Sequence, residues 1–196
     1  TTNFNEGKLN SGVSRHASRD LTDMVMTELQ QDISARYGRQ WNRRGMWNRN
    51  YSETRLPAVP SMILEILSHQ NFADMRMGHE PDFKFTVARS VYKAILKHTA
   101  TMHGTDYVVQ PLPVTRFAIE EGSKHTFRLS WQGVVDMQEP SANPRGYIVY
   151  TRLGHGGWDN GTYVKNNYYT FHAEPGLVYS FKVTAVHVRV KERDYH

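Results

Sequence analysis

An acid sits inside the most apolar run of the first hundred residues: Glu65, in Met62-Ile63-Leu64-Glu65-Ile66-Leu67. An ionised carboxylate in dry surroundings is costly unless it is paired, protonated or metal-bound, so a glutamate among Ile and Leu points to a task. At the C-terminal end of a buried strand, where open α/β sheets place their ligands, desolvation would suit it to general acid–base work. The competing reading is ordinary: Glu65 turns outward at a strand end, or pairs with a nearby arginine. Two histidines follow. His69, four residues on, either touches substrate or closes the loop, whereas His79 is read as the opening of the next helix.

A second constellation lies just upstream. Arg36, Arg39, Arg43, Arg44, Arg49 and Arg55 fall within 20 residues that also hold Trp41, Trp47 and Tyr51. Arginine with interleaved aromatics suits single-stranded nucleic acid, through phosphate contacts and base stacking. It equally suits glycan strands bearing carboxylates, with sugars on the tryptophans and acids on the arginines. The bland alternative buries the tryptophans under the loop and pairs the arginines with local acids such as Glu53. No recognised nucleic-acid motif accompanies the patch, and the net charge of +5 is modest, so nucleic acid is disfavoured.

The elements that position these groups can be read from periodicity. Leu21, Val25, Leu29 and Ile33 recur every fourth residue, which predicts a helix over 18–37, capped by Ser18 and stopped by Gly38. Residues 39–55 lack a period and read as a long loop. The run 62–67, entered through Pro57 and Pro60, reads as a buried strand of a parallel or mixed sheet. Pro81 and Asp82 open a second helix whose inward face is Val87, Val91 and Ile95. Helix, loop, strand, loop, helix is the order of an α/β layer over 1–100.

A linker over 101–112, with Gly104 and Pro111, then leads to short alternating segments over 113–196. They are Thr126–Trp131, Tyr147–Arg152, Tyr163–Tyr169 and Leu177–Val186, separated by turns at 143–146, 159–161 and 174–176. This spacing predicts an all-β sandwich. His155-Gly156-Gly157-Trp158 reads as a hairpin loop rather than a metal turn, and residues 188–193 as a short final strand or an open edge.

Composition narrows the field further. Across 196 residues, 39% hydrophobic and 22% charged content excludes a disordered, coiled-coil or collagen-like chain. No apolar run approaches the roughly 20 residues that span a bilayer. The absence of cysteine removes disulfides, Cys-ligated zinc and thiol catalysis. Residues 1–100 carry 14 basic against 10 acidic side chains, so most of the basic excess sits with the arginine-rich loop. The chain opens on Thr1 and is read as a piece of a longer protein.

Leu56-Pro57-Ala58-Val59-Pro60-Ser61-Met62-Ile63-Leu64-Glu65, followed by Asn71, Asp74 and a helix over Phe83–Leu96, resembles the closing motif of zinc-dependent N-acetylmuramoyl-L-alanine amidases. The resemblance covers roughly 12–98 and corresponds to the C-terminal half of that catalytic domain. It departs from the family at Leu67, Ser68 and His69, where a small residue, an aromatic and a leucine are usual. It implies that Glu65 assists a zinc-activated water and then protonates the departing L-alanine amine. Arg55, His69 and Asn71 are the substrate-facing candidates; of these Asn71 occupies the family's asparagine position and is also suited to hold its loop through backbone hydrogen bonds. The family's zinc ligands precede this segment, and His16 lacks companions at ligand spacing, so no metal ligand is assigned within the chain. The isolated chain is therefore expected to be inert.

The second half resembles a fibronectin type III domain, with Trp131 as its core tryptophan and Tyr179 in the tyrosine-corner position. Together the resemblances imply an envelope, periplasmic or secreted peptidoglycan hydrolase. The alternative is a non-catalytic cell-surface module that binds peptidoglycan, another glycan or a protein on an amidase-like scaffold.

Overall fold

The computed structural model describes residues 7–38, 40–49 and 51–187, and the chain divides into two compact units, residues 1–107 and 108–196. The first contains α1 (His16–Tyr37), α2 (Ser52–Arg55), α3 (Phe72–His79) and α4 (Pro81–His103). The predicted stripe of α1 forms its core: Val25, Leu29 and Ile33 are buried with Phe83 and Ala94 of α4, and Leu21 packs against them. The helix stops where expected, at Gly38 with φ 63°, a left-handed conformation that glycine adopts without steric cost. It starts two residues before Ser18, with the N–H of His16 donating to Ser14 Oγ at 3.2 Å. Ser18 is thus not the cap. Its hydroxyl instead accepts the N–H of Ser61 at 3.2 Å, tying α1 to the segment that carries Glu65.

Helix α4 begins at Pro81 as predicted, but runs to His103, three residues into the stretch expected as linker, and ends on Gly104 at φ 62°. Its inward face is also rotated from the predicted one. Phe83, Ser90, Lys93, Ala94 and His98 are buried, with Val87 and Val91 packed on the core, while Ile95 is 48% exposed. The cause is α1, which supplies partners for the polar members of that face. Lys93 Nζ lies 2.8 Å from Asp32 and 3.1 Å from Glu28, and Lys97 Nζ lies 2.7 Å from Glu28. Ser90 Oγ donates to Asp32 at 2.6 Å, and His98 Nε2 sits 2.9 Å from the Ala17 carbonyl.

The strand expected over 62–67 does not form. Among the described residues of this unit, β pairing is confined to an isolated bridge between Lys8 and Ser14, so the segment has no ladder to join. Met62, Ile66 and Leu67 pack instead on the α1–α4 core, while Ile63, Leu64 and Glu65 face solvent. An apolar run of six cannot distinguish a central strand from a segment laid across helices by periodicity alone. The expected α/β layer is thus replaced, within the described residues, by a helical unit. Helix α3, read from sequence as loop, is capped by Asn71 and brings Met77 onto the same core.

In the second unit, β1 (Thr115–Glu121), β2 (Thr126–Gln132) and β5 (Tyr168–His172) form one antiparallel sheet in the order β1-β2-β5. β4 (Thr162–Val164), β3 (Gly146–Leu153) and β6 (Tyr179–Val186) form another, in the order β4-β3-β6. Leu129 and Trp131 from the first and Tyr147, Val149 and Ala185 from the second share one core. Burial pushes the Tyr147 phenol above its usual pKa. The alternation Phe181, Val183, Ala185 faces that core as predicted, though Leu177 is exposed. The single segment expected over 163–169 is two strands: β4 pairs with β3, and β5 pairs with β2 in the other sheet. β1 was hidden because none of its residues is buried, so no apolar alternation marks it. The final strand expected over 188–193 lies outside the described residues. The chain is thus mixed, with helices in one unit and antiparallel sheets in the other.

The turn at 159–161 offers a direct stability test. Asp159 Oδ1 accepts the N–H of Thr151 at 2.9 Å and of Gly161 at 3.0 Å, folding the β3–β4 hairpin loop back on its strand. Gly161 has φ 77°, and a Cβ there would overlap Ile148 Cγ2 and lie 2.9 Å from the Tyr150 ring. Gly161→Ala is therefore expected to destabilise this unit by about 1–3 kcal/mol, read as a lowered denaturant midpoint of its unfolding transition. Gly154→Ala, also at positive φ but with open space around its Cβ, should cost less.

Candidate functional site

Glu65 opens onto a cleft of about 630 Å³ in the first unit, built from three stretches of chain. The first is Arg15, the N-cap residue of α1, and one side of that helix: Ser18, Arg19, Thr22 and Met26 follow at three- and four-residue spacing, distinct from its core stripe. The second is the arginine-rich stretch 44–55, including Arg44, Trp47, Arg49, Tyr51 and Arg55. The third is Ser61–Glu65, anchored to α1 by the Ser61–Ser18 hydrogen bond and by Met62 in the core. Burying Met62 on one side and Ile66 on the other leaves Glu65 turned to the cleft.

Glu65 is exposed there rather than desolvated in a strand, which corrects the buried-acid expectation. Of the ordinary alternatives the outward-turned one fits, though without a strand; among the described residues Glu65 forms no ion pair, so the arginine-paired one does not. Arg55, at the C-terminal end of α2, lines the same cleft. The structure therefore joins two of the four predicted site residues in one cavity. His69 is exposed in the turn that follows. Asn71 is committed to the backbone: its Oδ1 accepts the N–H of Ala73 at 2.9 Å and of Asp74 at 3.3 Å. Asp74 in turn accepts the N–H of Ser68 at 2.9 Å. These two residues fix the turn after Glu65, the loop-holding role that residue type suggested for Asn71.

No protein-family model matches this chain, and no curated protein matches it. The site therefore has to be weighed on its own chemistry.

The basic loop divides sharply. Trp41 is half-buried and packs against Phe83, ring centroids 5.8 Å apart, the direction in which the structural alternative pointed. Arg36 pairs with Asp82 at 2.6 Å, and Arg43 pairs with Asp23. Trp47 behaves differently: it is 65% exposed, with Arg44 and Arg49 stacked at 5.4 and 4.9 Å from its ring. Glu53 does not neutralise these arginines. It accepts its own N–H and the Ser52 hydroxyl, which hold its carboxyl below the ordinary range. Arg39 lies outside the described residues.

Sequence reasoning passed over Arg15 and Arg19. Their signal is the polar stripe at positions 15, 18–19 and 22, which has the same period as the core stripe it accompanies. Among the described residues no group of three or more His, Asp or Glu side chains has metal-site geometry. His16 lines the cleft with Glu65, but two such groups do not make the closed or three-ligand sites zinc requires. Among the described residues, no helix is long and apolar enough to cross a membrane.

Proposed function

We propose that the first unit is part of the catalytic domain of a peptidoglycan hydrolase that cleaves the amide between N-acetylmuramic acid and L-alanine, with Glu65 as its general acid and base. The observation that carries the reading is the position of Glu65: unpaired, open to a cleft large enough for a sugar–peptide junction, on a segment anchored at both ends. In that cleft its carboxylate takes a proton from the attacking water and returns it to the departing L-alanine nitrogen, two transfers one carboxylate can make in sequence. Arg55 and the stacked Arg44–Trp47–Arg49 group bind and orient the strand. His16 and Glu65 do not by themselves fit zinc, so no ligand in this chain is assigned to the metal and no step is derived through it.

The second unit fits a fibronectin type III-like module, supported by the buried Trp131 and by Tyr179, whose hydroxyl accepts the N–H of Glu174 at 3.4 Å in the manner of a tyrosine corner. Such modules in hydrolases act as spacers or adhesive surfaces, which suits a cell-envelope or secreted setting. A second reading, a glycan-binding module without catalysis, draws on the solvent exposure of Glu65 and Trp47.

The deciding measurement is product analysis. Purified peptidoglycan incubated with the intact protein should yield peptides with free L-alanine amino termini and glycan strands bearing intact muramic acid. Binding to the wall without new amino termini would assign the protein to the second reading.

A further inference from the structure

We propose that the Glu65 cleft selects a ligand carrying at least two free carboxylates, which for a peptidoglycan substrate means a stem peptide whose carboxyl groups are not amidated. This rests on the reading of the cleft as the place where a peptidoglycan strand is held. The starting observation is an imbalance of charge. Arg15, Arg44, Arg49 and Arg55 line the cleft without a carboxylate partner among the described residues, against a single lining acid, Glu65. The two neighbouring arginines absent from that lining, Arg36 and Arg43, do have acids, Asp82 and Asp23. Arg19, also in the lining, lies 4.0 Å from Asp20, so the imbalance rests on the other four.

The uncompensated arginines are grouped in pairs. Arg15 donates through Nη2 to the Arg55 carbonyl at 3.5 Å, which brings those two residues together at one place. Arg44 and Arg49 flank the Trp47 ring at another. A guanidinium stacked on a ring keeps its N–H edge free in the plane, where it matches the two oxygens of a carboxylate. The stacked Arg44–Arg49 pair suits one carboxylate and the Arg15–Arg55 corner, joined through the Arg55 carbonyl, offers charge for a second, with the exposed indole of Trp47 available to a sugar face or peptide stem.

Amidation changes this match twice over. It removes the negative charge, and it replaces one acceptor oxygen by an NH₂ that a guanidinium, having no acceptor, cannot satisfy. The single acid has the opposite preference: Glu65 repels anions, so its neutralisation should strengthen binding of the charged ligand. A phosphate backbone fits less well, since it would present repeated charge past Glu65 and needs more than Trp47 and Tyr51 for base stacking.

The test titrates the full 196-residue chain by calorimetry with three ligands: N-acetylmuramoyl-L-alanyl-D-isoglutamate, its monoamide and its diamide. Affinity should fall about tenfold for each carboxylate capped, and the steps should shrink as salt rises. R49A and R55A should each remove one step, with circular dichroism checking that the fold is kept. R55K should retain part of its step, having the charge without the fork. E65Q should bind the dicarboxylate more tightly than wild type. Equal binding of all three ligands would overturn carboxylate selection while leaving the amidase reading intact. If none of them binds while a short oligoglutamate does, both fall. Tighter binding of a single-stranded oligonucleotide than of the dicarboxylate overturns the proposal in favour of nucleic acid.

Discussion

Lys93→Met is expected to destabilise the helical unit by about 3–5 kcal/mol, the cost of stranding buried charge. Lys93 is only 3% exposed, and its ammonium is shared between Asp32 at 2.8 Å and Glu28 at 3.1 Å, themselves 6% and 8% exposed. Methionine fills the same volume, so packing is not what is lost. What remains is two carboxylates a few ångströms apart with one ammonium fewer, and Ser90 and Lys97 as their remaining partners. Removing the charge on both sides should restore most of the loss: Glu28→Gln and Asp32→Asn combined with Lys93→Met leave no uncompensated ion. Lys97→Met should cost less, about 1 kcal/mol, because Lys97 is partly solvated and Glu28 keeps Lys93. Chemical denaturation followed by circular dichroism at 222 nm reads these differences, since the helices lie in this unit. A loss below about 1 kcal/mol for Lys93→Met would mean that water reaches the cluster.

The pH dependence follows from Glu28. Burial alone would raise its carboxyl pKa, but hydrogen bonds and charge from Lys97 and Lys93 outweigh that and hold it below its ordinary 4.5. A depressed pKa in the folded state contributes stability above the unfolded value, lost as pH falls through the folded one. Acid unfolding of the helical unit should therefore set in below about pH 4.5. In Lys93→Met part of that lowering is lost while Lys97 stays, so the Glu28 carboxyl should shift upward and the deficit relative to wild type should shrink between pH 7 and pH 4.

This cluster also explains which parts of the fold were legible. The four-residue stripe of α1, Gly38, Pro81 and the positions of β2, β3 and β6 each follow from one local rule and lie where they are expected, although burial in β3 does not alternate. The face of α4 was not legible, because hydrophobicity alone favours Ile95 over Lys93. Only the presence of Glu28 and Asp32 on a facing helix, some sixty residues away in sequence, makes the lysine the inward residue. Segment 62–67 failed for the complementary reason: whether an apolar run becomes a strand depends on whether another strand is there to pair with it. Glu65 stands out by residue type and by the proline-led run around it, but it is exposed rather than dry. The cleft wall formed by Arg15 to Met26 is not legible because all of its residues but Met26 are polar, and polar periodicity on a helix ordinarily marks a solvated face.

In the intact protein, Glu65→Gln is expected to reduce turnover of the muramoyl–L-alanine amide by about 10²–10⁴-fold, the range spanned by a positioned general acid–base group. Glutamine has the same size and the side chain is exposed, so stability should change by less than about 0.5 kcal/mol. What is removed is the capacity to take a proton from water and give it to the amine. Glu65→Asp keeps that capacity but withdraws the carboxyl by one methylene, and should fall between wild type and Glu65→Gln. Binding and turnover should separate: with the only acid among the named cleft residues neutralised, the arginines face a carboxylate-bearing strand without opposition, so KM should hold or fall as kcat drops. A purely structural role for Glu65 would not produce that split, because a distorted cleft loses affinity along with rate. Wild-type turnover in Glu65→Gln would leave the cleft as a binding groove and send the search for the acid–base group elsewhere in the protein.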